Sequence, residues 1–256
     1  MGRVPGAPGP ELVASAAHVF VQDLGEPRVS GADTHHLSRT LRLRPGELVT
    51  AADGAGRWRR CVWRGAGAQL EARLEADGPV VVEERPGPAI TVGFALTKGD
   101  RPERVVRGLT EVGVDRIVPL VAARSVVRWE AGRAEGHLER LRRVAREAAM
   151  QSRRLWLPEV APLATVIDLV AGLVAGAAPA GPAGAGGPAG ALAQPGGLPP
   201  SLEHPCVLVG PEGGWDTSEL ACGLGLVGLG PCVLRAETAA LAAGIILCSI
   251  RAGVVG

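Results

Sequence analysis

The chain has 256 residues, of which 46% are hydrophobic and 21% charged, a balance that argues for a folded, water-soluble protein of one or two domains and against a disordered polypeptide. A net charge of +1 hides an asymmetry: residues 101–154 carry 13 arginines against seven acids, and residues 155–256 carry two against seven. The basic middle leaves two readings open, a polyanionic partner such as nucleic acid or an arginine-rich solvated helix face in a chain with a single lysine, Lys98. From the N-terminus, the apolar run Leu12–Val21 has Pro and Gly crowded before it and only Arg3 for charge, so it does not read as a targeting segment. The expected location is the cytoplasm. Asp33–Arg42 reads as a short helix stopped near Pro45-Gly46. Leu48–Ala52 and Trp58–Trp63 form an expected hairpin around Asp53-Gly54-Ala55-Gly56, and Gln69–Leu74 and Val80–Glu84 add two strands. This inventory fits a small β-barrel with one helix over residues 1–86, bounded by Arg85-Pro86-Gly87-Pro88.

Beyond that boundary strand and helix alternate. Ile90–Leu96 is an apolar strand, and Asp100-Arg101-Pro102-Glu103 has the spacing of a capping box. The helix it opens places Val105, Val106, Leu109 and Val112 on one face and stops at Gly113. Ile117–Val121 is the next strand. Leu138, Leu141, Ala145 and Ala148 then mark a longer amphipathic helix bearing Arg140, Arg142, Arg143 and Arg146. The alternation predicts an α/β domain over 87–256 with a mainly parallel, helix-covered sheet. Residues 175–191 contain only Ala, Gly and Pro, and 170–203 is the expected extent of a flexible insertion without function. The apolar run at Leu241–Ile250 is too short to span a bilayer, which takes about 20 residues. Five cysteines without a CxxC spacing read as free thiols, and five histidines without ligand spacing predict no metal.

The most informative stretch comes late. Val207-Leu208-Val209 runs into Gly210-Pro211-Glu212-Gly213-Gly214, where small residues admit a ligand close to the backbone. Leu229–Ala239 reads as a second strand breaking into a helix, with Cys232 expected to face the core. Open α/β sheets bind ligands at such strand ends. Gly223-Leu224-Gly225-Leu226-Val227-Gly228 matches a dinucleotide fingerprint literally. It follows a helix begun by Asp216-Thr217-Ser218-Glu219, however, where the fingerprint needs a strand before it and a helix after. No phosphate loop or serine elbow occurs.

Seven motifs in order resemble the SPOUT class of trefoil-knot methyltransferases, in particular the RsmE-type enzymes that methylate N3 of a uridine in 16S ribosomal RNA. They are His35-His36-Leu37 with Leu41–Glu47, Lys98-Gly99-Asp100-Arg101, Thr110–Val114, Arg124-Ser125, Glu147–Arg154 ahead of Pro158, the GPEGG loop, and Leu234–Ala239. The resemblance implies a knotted α/β domain behind a PUA-like RNA-binding barrel. It also implies S-adenosylmethionine as methyl donor, a homodimer, and 16S rRNA or the small ribosomal subunit as partner. The implied cofactor residues are Leu96 and Thr97, then Val209, Gly210, Pro211, Glu212, Gly213 and Gly214. Leu229, Gly230, Val233, Leu234, Arg235, Glu237, Thr238 and Ala239 complete them. The implied RNA contacts are His36, Arg39, Arg42, Arg124, Arg128, Arg142, Arg143, Arg153 and Arg154.

A neutral imide nitrogen is a poor nucleophile, so the chemistry needs a base for the N3 proton or a cation for the imidate. Glu111, Glu147, Glu237, Arg153 and Arg235 are the candidates. Either arginine could instead hold phosphate, and Glu237 could instead serve as a helix cap. Two departures stand out: the family generally has Arg at Cys232 and Thr at Ala236. Two alternatives stay in view: a ribose 2′-O-methyltransferase of rRNA or tRNA with the same fold and another target, and a non-catalytic RNA-binding or assembly protein, which Cys232 prompts.

Overall fold

A computed structural model describes residues 9–65, 72–130, 132–174 and 190–255. Contacts divide the chain into two units, one built from Gly6–Arg85 with Arg146–Leu157 and the other from Pro86–Ala145 with Pro158–Gly256. The pattern reading cuts the chain once, near residue 86. Contacts add the twelve-residue segment Arg146–Leu157 to the N-terminal unit.

The N-terminal unit begins with α1 (Pro10–Ala14), which has Pro in its first turn, and β1 (Ala17–Phe20). The run Leu12–Val21 is therefore structural: all four β1 residues are buried, and β1 pairs in parallel with β3 (Leu48–Ala52). Between them lie β2 (Arg28–Val29) and α2 (Gly31–His35), followed by a π-helical turn over His36–Thr40. The helix starts two residues before the expected Asp33 because Ser30 caps it, its hydroxyl accepting the Asp33 N–H at 3.1 Å. β4 (Arg57–Val62) completes the hairpin as expected, and the Asp53 carboxylate accepts the N–H groups of Ala55 and Arg57 in the turn. β5 (Ala72–Arg73) pairs with β2, while β6 (Glu75–Ala76) and β7 (Val81–Val82) pair with β4. The expected strand Gln69–Leu74 lies partly outside the described residues. Val19, Val49, Cys61, Trp63 and Leu74 form the core of this unit, and burial pushes the Cys61 thiol up to about 11.

In the second unit β8 (Thr91–Ala95), α3 (Arg101–Val112), β9 (Arg116–Val121) and α4 (Ala134–Gln151, counted with the N-terminal unit from Arg146 on) follow the predicted alternation. Gly113 ends α3 with φ +105°, as a left-handed C-terminal residue. Its N-terminus departs from expectation: Asp100 makes no capping bond, because its carboxylate takes the Arg104 Nε–H at 2.9 Å. Next come β10 (Glu159–Val160), β11 (Ala164–Thr165) and α5 (Val166–Val174). β12 (Gly190–Leu198), β13 (Cys206–Val209), α6 (Thr217–Leu220), β14 (Gly225–Val227) and α7 (Ala236–Arg251) close the chain. The sheet order is β10-β9-β8-β13-β12-β14, all parallel, with β11 also on β9. β10 pairs with Arg116–Ile117 and β11 with Leu120–Val121, so the change of neighbour flanks Pro119, which has no N–H to donate.

Alternation puts both faces in hydrophobic surroundings, as helix-covered parallel sheets require. Val92, Phe94, Val207 and Val209 pack with Val105, Leu109, Leu141, Ala240 and Leu247. Val118, Leu120, Cys206 and Leu208 pack with Val166, Leu169 and Trp215, and burial pushes the Cys206 thiol up to about 12. Helices α3 and α7 approach closely at glycines: a Cβ on Gly108 would come within 2.4 Å of Leu241, and one on Gly244 within 2.6 Å of Leu109.

Two sequence expectations are overturned here. The insertion is narrower than 170–203, because 170–174 belong to α5 and 190–198 form β12, whose Ala191 and Leu192 are fully buried between β13 and β14. Residues 175–189 lie outside the described residues. The strand expected at Leu229–Leu234 is instead β14, inside the string that mimicked a dinucleotide fingerprint. Gly228 ends it because its backbone meets that of Gly197: a Cβ on Gly197 would lie 2.6 Å from the Val227 carbonyl carbon.

Candidate functional site

The C-terminal ends of β12, β13 and β14 meet the N-terminus of α7 around a cavity of about 330 Å³. Its first wall is Val209–Gly214, where the Gly214 N–H donates to the Pro211 carbonyl at 2.8 Å and Gly214 has φ +71°. Trp215 follows, its indole N–H donating to the Ala193 carbonyl at 3.0 Å. A Cβ on Gly210 would stand 3.0 Å from this indole, so the absence of a side chain at Gly210 also seats Trp215. The second wall comes from β12. Ala193 and Leu198 both register with Val227, so Gln194–Gly197 bulge out of the sheet, and Ala193, Gln194 and Pro195 line the cavity. Leu229, Gly230 and Cys232–Leu234, with Ala236 and Ala239 of α7, form the third.

Side chains beyond the lining fix these walls. Asp216 and Glu219 form a capping box on α6, and the buried Glu219 carboxylate also accepts the Ala123 N–H at 2.8 Å. That second bond ties the loop after β9 to the loop after β13. Arg124, in the same loop, donates to the Gly213 carbonyl at 3.3 Å and lies 3.6 Å from the Asp216 carboxylate. Hydrogen bonds from Ser218 hold the Asp216 carboxyl below its usual range. At the N-terminus of α3, Arg101 stands 3.8 Å from both Glu212 and Glu237. Two buried oxygens here have no hydrogen-bond partner, Thr97 Oγ1 and Glu237 Oε2.

The fold brings most of the expected cofactor residues together. Val209, Gly210, Pro211, Glu212, Gly213 and Gly214 line the cavity, as do Leu229, Gly230, Val233, Leu234 and Ala239. Leu96, Thr97, Arg235, Glu237 and Thr238 do not line it, although Leu96 and Thr97 follow β8, the neighbour of β13, and the other three flank lining residues at the start of α7. Glu237 makes no capping bond to Arg235. Cys232 is exposed in the cavity wall instead of facing a core, because Leu229–Leu234 is not a strand. Both family departures, Cys232 and Ala236, are thus cavity residues. Sequence reasoning missed Gln194, Pro195 and Trp215. Trp215 directly follows the two glycines and offered a signal, whereas Gln194 and Pro195 were taken into the insertion.

The expected RNA contacts are divided between the two units. Arg124, Arg128 and Arg143 are exposed in the second unit, and Arg142 pairs with Glu135 at 2.9 Å. His36, Arg39 and Arg42 are exposed in the N-terminal unit. Arg153 is a structural residue, which corrects both roles expected of it. Its guanidinium donates to the Leu12 and Ser15 carbonyls at 2.7 Å each and to the Ser15 hydroxyl, which ties it to α1 and to Ser15 after it. The network continues from Ser15 to Thr50, whose hydroxyl lies 2.8 Å from His18 Nδ1, and His18 Nε2 donates to the Arg154 carbonyl at 3.0 Å. Burial pushes His18 down to about 4. Glu147 is exposed in the N-terminal unit, and Glu111 is exposed at the C-terminal end of α3. Among the described residues no His, Cys, Asp or Glu cluster could hold a metal ion, and no helix is long and apolar enough to cross a membrane.

Residues 83–248 match the family of the RNA methyltransferase domain. The chain is 37% identical over 227 residues to the ribosomal RNA small subunit methyltransferase E of Mycobacterium tuberculosis, covering 84% of this chain and 83% of that protein. It is 34% identical over 220 residues to the protein of the same name from Synechocystis, covering 81% and 68%. Its fold is that of a Legionella pneumophila protein solved with bound SAM, at TM-score 0.74 and 21% identity over 91% of this chain and 96% of that one. The methyltransferase E of Neisseria gonorrhoeae, solved with S-adenosyl methionine, gives TM-score 0.70 and 24% identity over 91% and 97%. With the family match spanning most of the chain and two relatives above 30% identity, the chain belongs to the RNA methyltransferase family that includes the ribosomal RNA small subunit methyltransferase E proteins.

Proposed function

We propose that this chain transfers a methyl group from S-adenosylmethionine to N3 of a uridine in the 16S RNA of the small ribosomal subunit. The carrying observation is the cavity at the carboxyl ends of three parallel strands, walled by GPEGG and Leu229–Leu234 in a member of this family. The residues present fit the cofactor. Val209, Pro211, Leu229 and Leu234 offer apolar surface to a purine, the bends at 193–195 and 210–214 offer backbone donors and acceptors, and Glu212 complements a positive sulfonium. Bound there, the sulfonium would supply an electrophilic methyl carbon.

The chain's own part is to hold that cofactor, exclude water and aim the acceptor nitrogen. Trp215 closes the floor by its bond to Ala193 and its packing on Gly210. Arg124 and Arg235, exposed beside the walls, suit phosphate contacts that orient the RNA. His36, Arg39 and Arg42 give the N-terminal unit a second cationic surface, in keeping with a PUA-like RNA-binding barrel. A trefoil knot in the second unit, a homodimeric assembly and a cytoplasmic location belong to the same reading.

Two measurements test it. Titration calorimetry on the purified protein should show S-adenosylmethionine binding at one site per chain. Mass spectrometry of 16S rRNA nucleosides should show 3-methyluridine in cells carrying the gene and its loss on deletion. A 2′-O-methyl mark lost instead would move the target from the base to the ribose.

A further inference from the structure

We infer that Glu237 is the general base for the uridine N3 proton and that Arg101 positions it. The inference rests on the methyltransferase reading above and assigns the proton step that the reading leaves open. Glu237 lies in the first turn of α7 between Ala236 and Ala239, which line the cavity. Its side chain is 24% exposed, and its Oε2 is buried without a hydrogen-bond donor. A carboxylate oxygen enclosed in protein normally accepts a hydrogen bond. Glu237 stands just behind the lining, and an oxygen there that accepts no bond retains a lone pair for a donor that reaches past Ala236 and Ala239.

Arg101 explains how such a carboxylate is held. Its guanidinium is 3.8 Å from Glu237 and 3.8 Å from Glu212, beyond hydrogen-bond range on both sides. Charge therefore fixes the carboxylate without occupying the lone pairs that a base must use. Because Glu212 lines the cavity on the GPEGG wall and Glu237 starts the helix on the other side, Arg101 also sets the spacing of the two walls. Glu111 is poorly placed by comparison. It lies ten residues along α3 from Arg101, about 15 Å at the rise of an α-helix. Glu212 is the closest rival, but its carboxylate is 57% exposed and well solvated.

In the step, the N3–H proton passes to the Glu237 carboxylate as the N3 electron pair forms a bond to the methyl carbon. The carbon–sulfur bond breaks, its electron pair stays on sulfur, and the proton leaves Glu237 to solvent after the product departs. No oxidant, reductant or metal is needed.

The test uses the full-length protein with S-adenosylmethionine and small subunits lacking the mark. Glu237→Gln should bind S-adenosylmethionine within about threefold of wild type by calorimetry, while kcat falls by about 10² to 10⁴, the usual worth of a general base. The acid limb of its kcat–pH profile should vanish, and its rate should climb in alkaline solution as the uracil ionises unaided. Arg101→Ala should lower kcat and move the acid limb, and Arg101→Lys should recover part of the loss. A Glu237→Gln protein that keeps kcat within about threefold, or keeps the acid limb, overturns the assignment. So does loss of the acid limb in Glu212→Gln instead. Wild-type protein that binds no S-adenosylmethionine would refute the methyltransferase reading itself, a separate outcome read from the calorimetry alone.

Discussion

The amino ends of β8 and β9 and the carboxyl ends of the strands around the cavity are built on opposite principles. At the amino ends of β8 and β9, Asp115 accepts the Ile90 N–H at 2.9 Å and pairs with Arg251, which donates onward to the carbonyls of Gly113 at 2.8 Å and Pro88 at 3.2 Å. Both charged side chains are below a tenth exposed, and Arg251 adds a cation where the α7 carbonyls end. At the carboxyl ends the chain leaves a cavity, two loose ion pairs at 3.8 Å, and buried oxygens on Thr97 and Glu237 without partners. Satisfied polar groups fix a structure, whereas unsatisfied ones cost stability until something else satisfies them. The amino edge holds the fold together. The carboxyl edge is where a ligand has work to do.

The largest effect should come from breaking the amino edge. Arg251→Ala takes the guanidinium away from the buried Asp115 carboxylate and from the Gly113 and Pro88 carbonyls, and should lower unfolding free energy by about 3–5 kcal/mol in urea titrations. Exchanging both partners for Arg251→Met with Asp115→Asn should recover much of that, since two weaker groups replace one stranded charge. If Arg251→Ala costs less than about 1 kcal/mol, the two edges do not differ as described.

The sequence revealed the two edges unequally. Apolar strands such as Val207–Val209 and the stop at Gly113 were legible because local pattern and tertiary role coincide there. GPEGG was legible because glycines cluster where backbone must turn tightly. β14 was not. A three-residue strand in a glycine-rich string has little strand propensity, and it forms because its neighbour β12 fixes the register and Gly197 meets Gly228. β12 was lost for a related reason, since its composition continues the Ala/Gly/Pro run before it. The roles of Arg153 and Arg251 depend on partners 138 and 136 residues away, which no local pattern encodes.

The N-terminal unit resembles the amino edge, and acid should expose this. His18 is held neutral within the Arg153–Ser15–Thr50 network, its folded pKa of about 4 lying below the ordinary imidazole value of 6.5. Above pH 6.5 both folded and unfolded chains carry it neutral, and nothing is lost. As pH falls from 6.5 towards 4 the unfolded chain takes a proton that the folded one refuses, so stability declines across that window by about 3 kcal/mol in all. Hydrogen exchange should therefore show β1 and β3 losing protection in that range. In His18→Gln the decline should flatten. A decline that persists in the variant would place the acid sensitivity elsewhere.

The smallest effect probes the carboxyl edge and is the sharpest test of the contrast. Thr97→Val exchanges a buried hydroxyl without a partner for a methyl group of the same shape. At a satisfied site that exchange is destabilising, because a hydrogen bond is lost and its partner is stranded. Here no bond is lost, so the denaturation midpoint should hold or rise, by about 1 kcal/mol at most. S-adenosylmethionine affinity should nonetheless fall, up to about tenfold if the hydroxyl gains a bond in the complex. A Thr97→Val protein that unfolds more easily would mean that the hydroxyl already serves the fold, and the carboxyl edge would then be closed on the same terms as the amino edge.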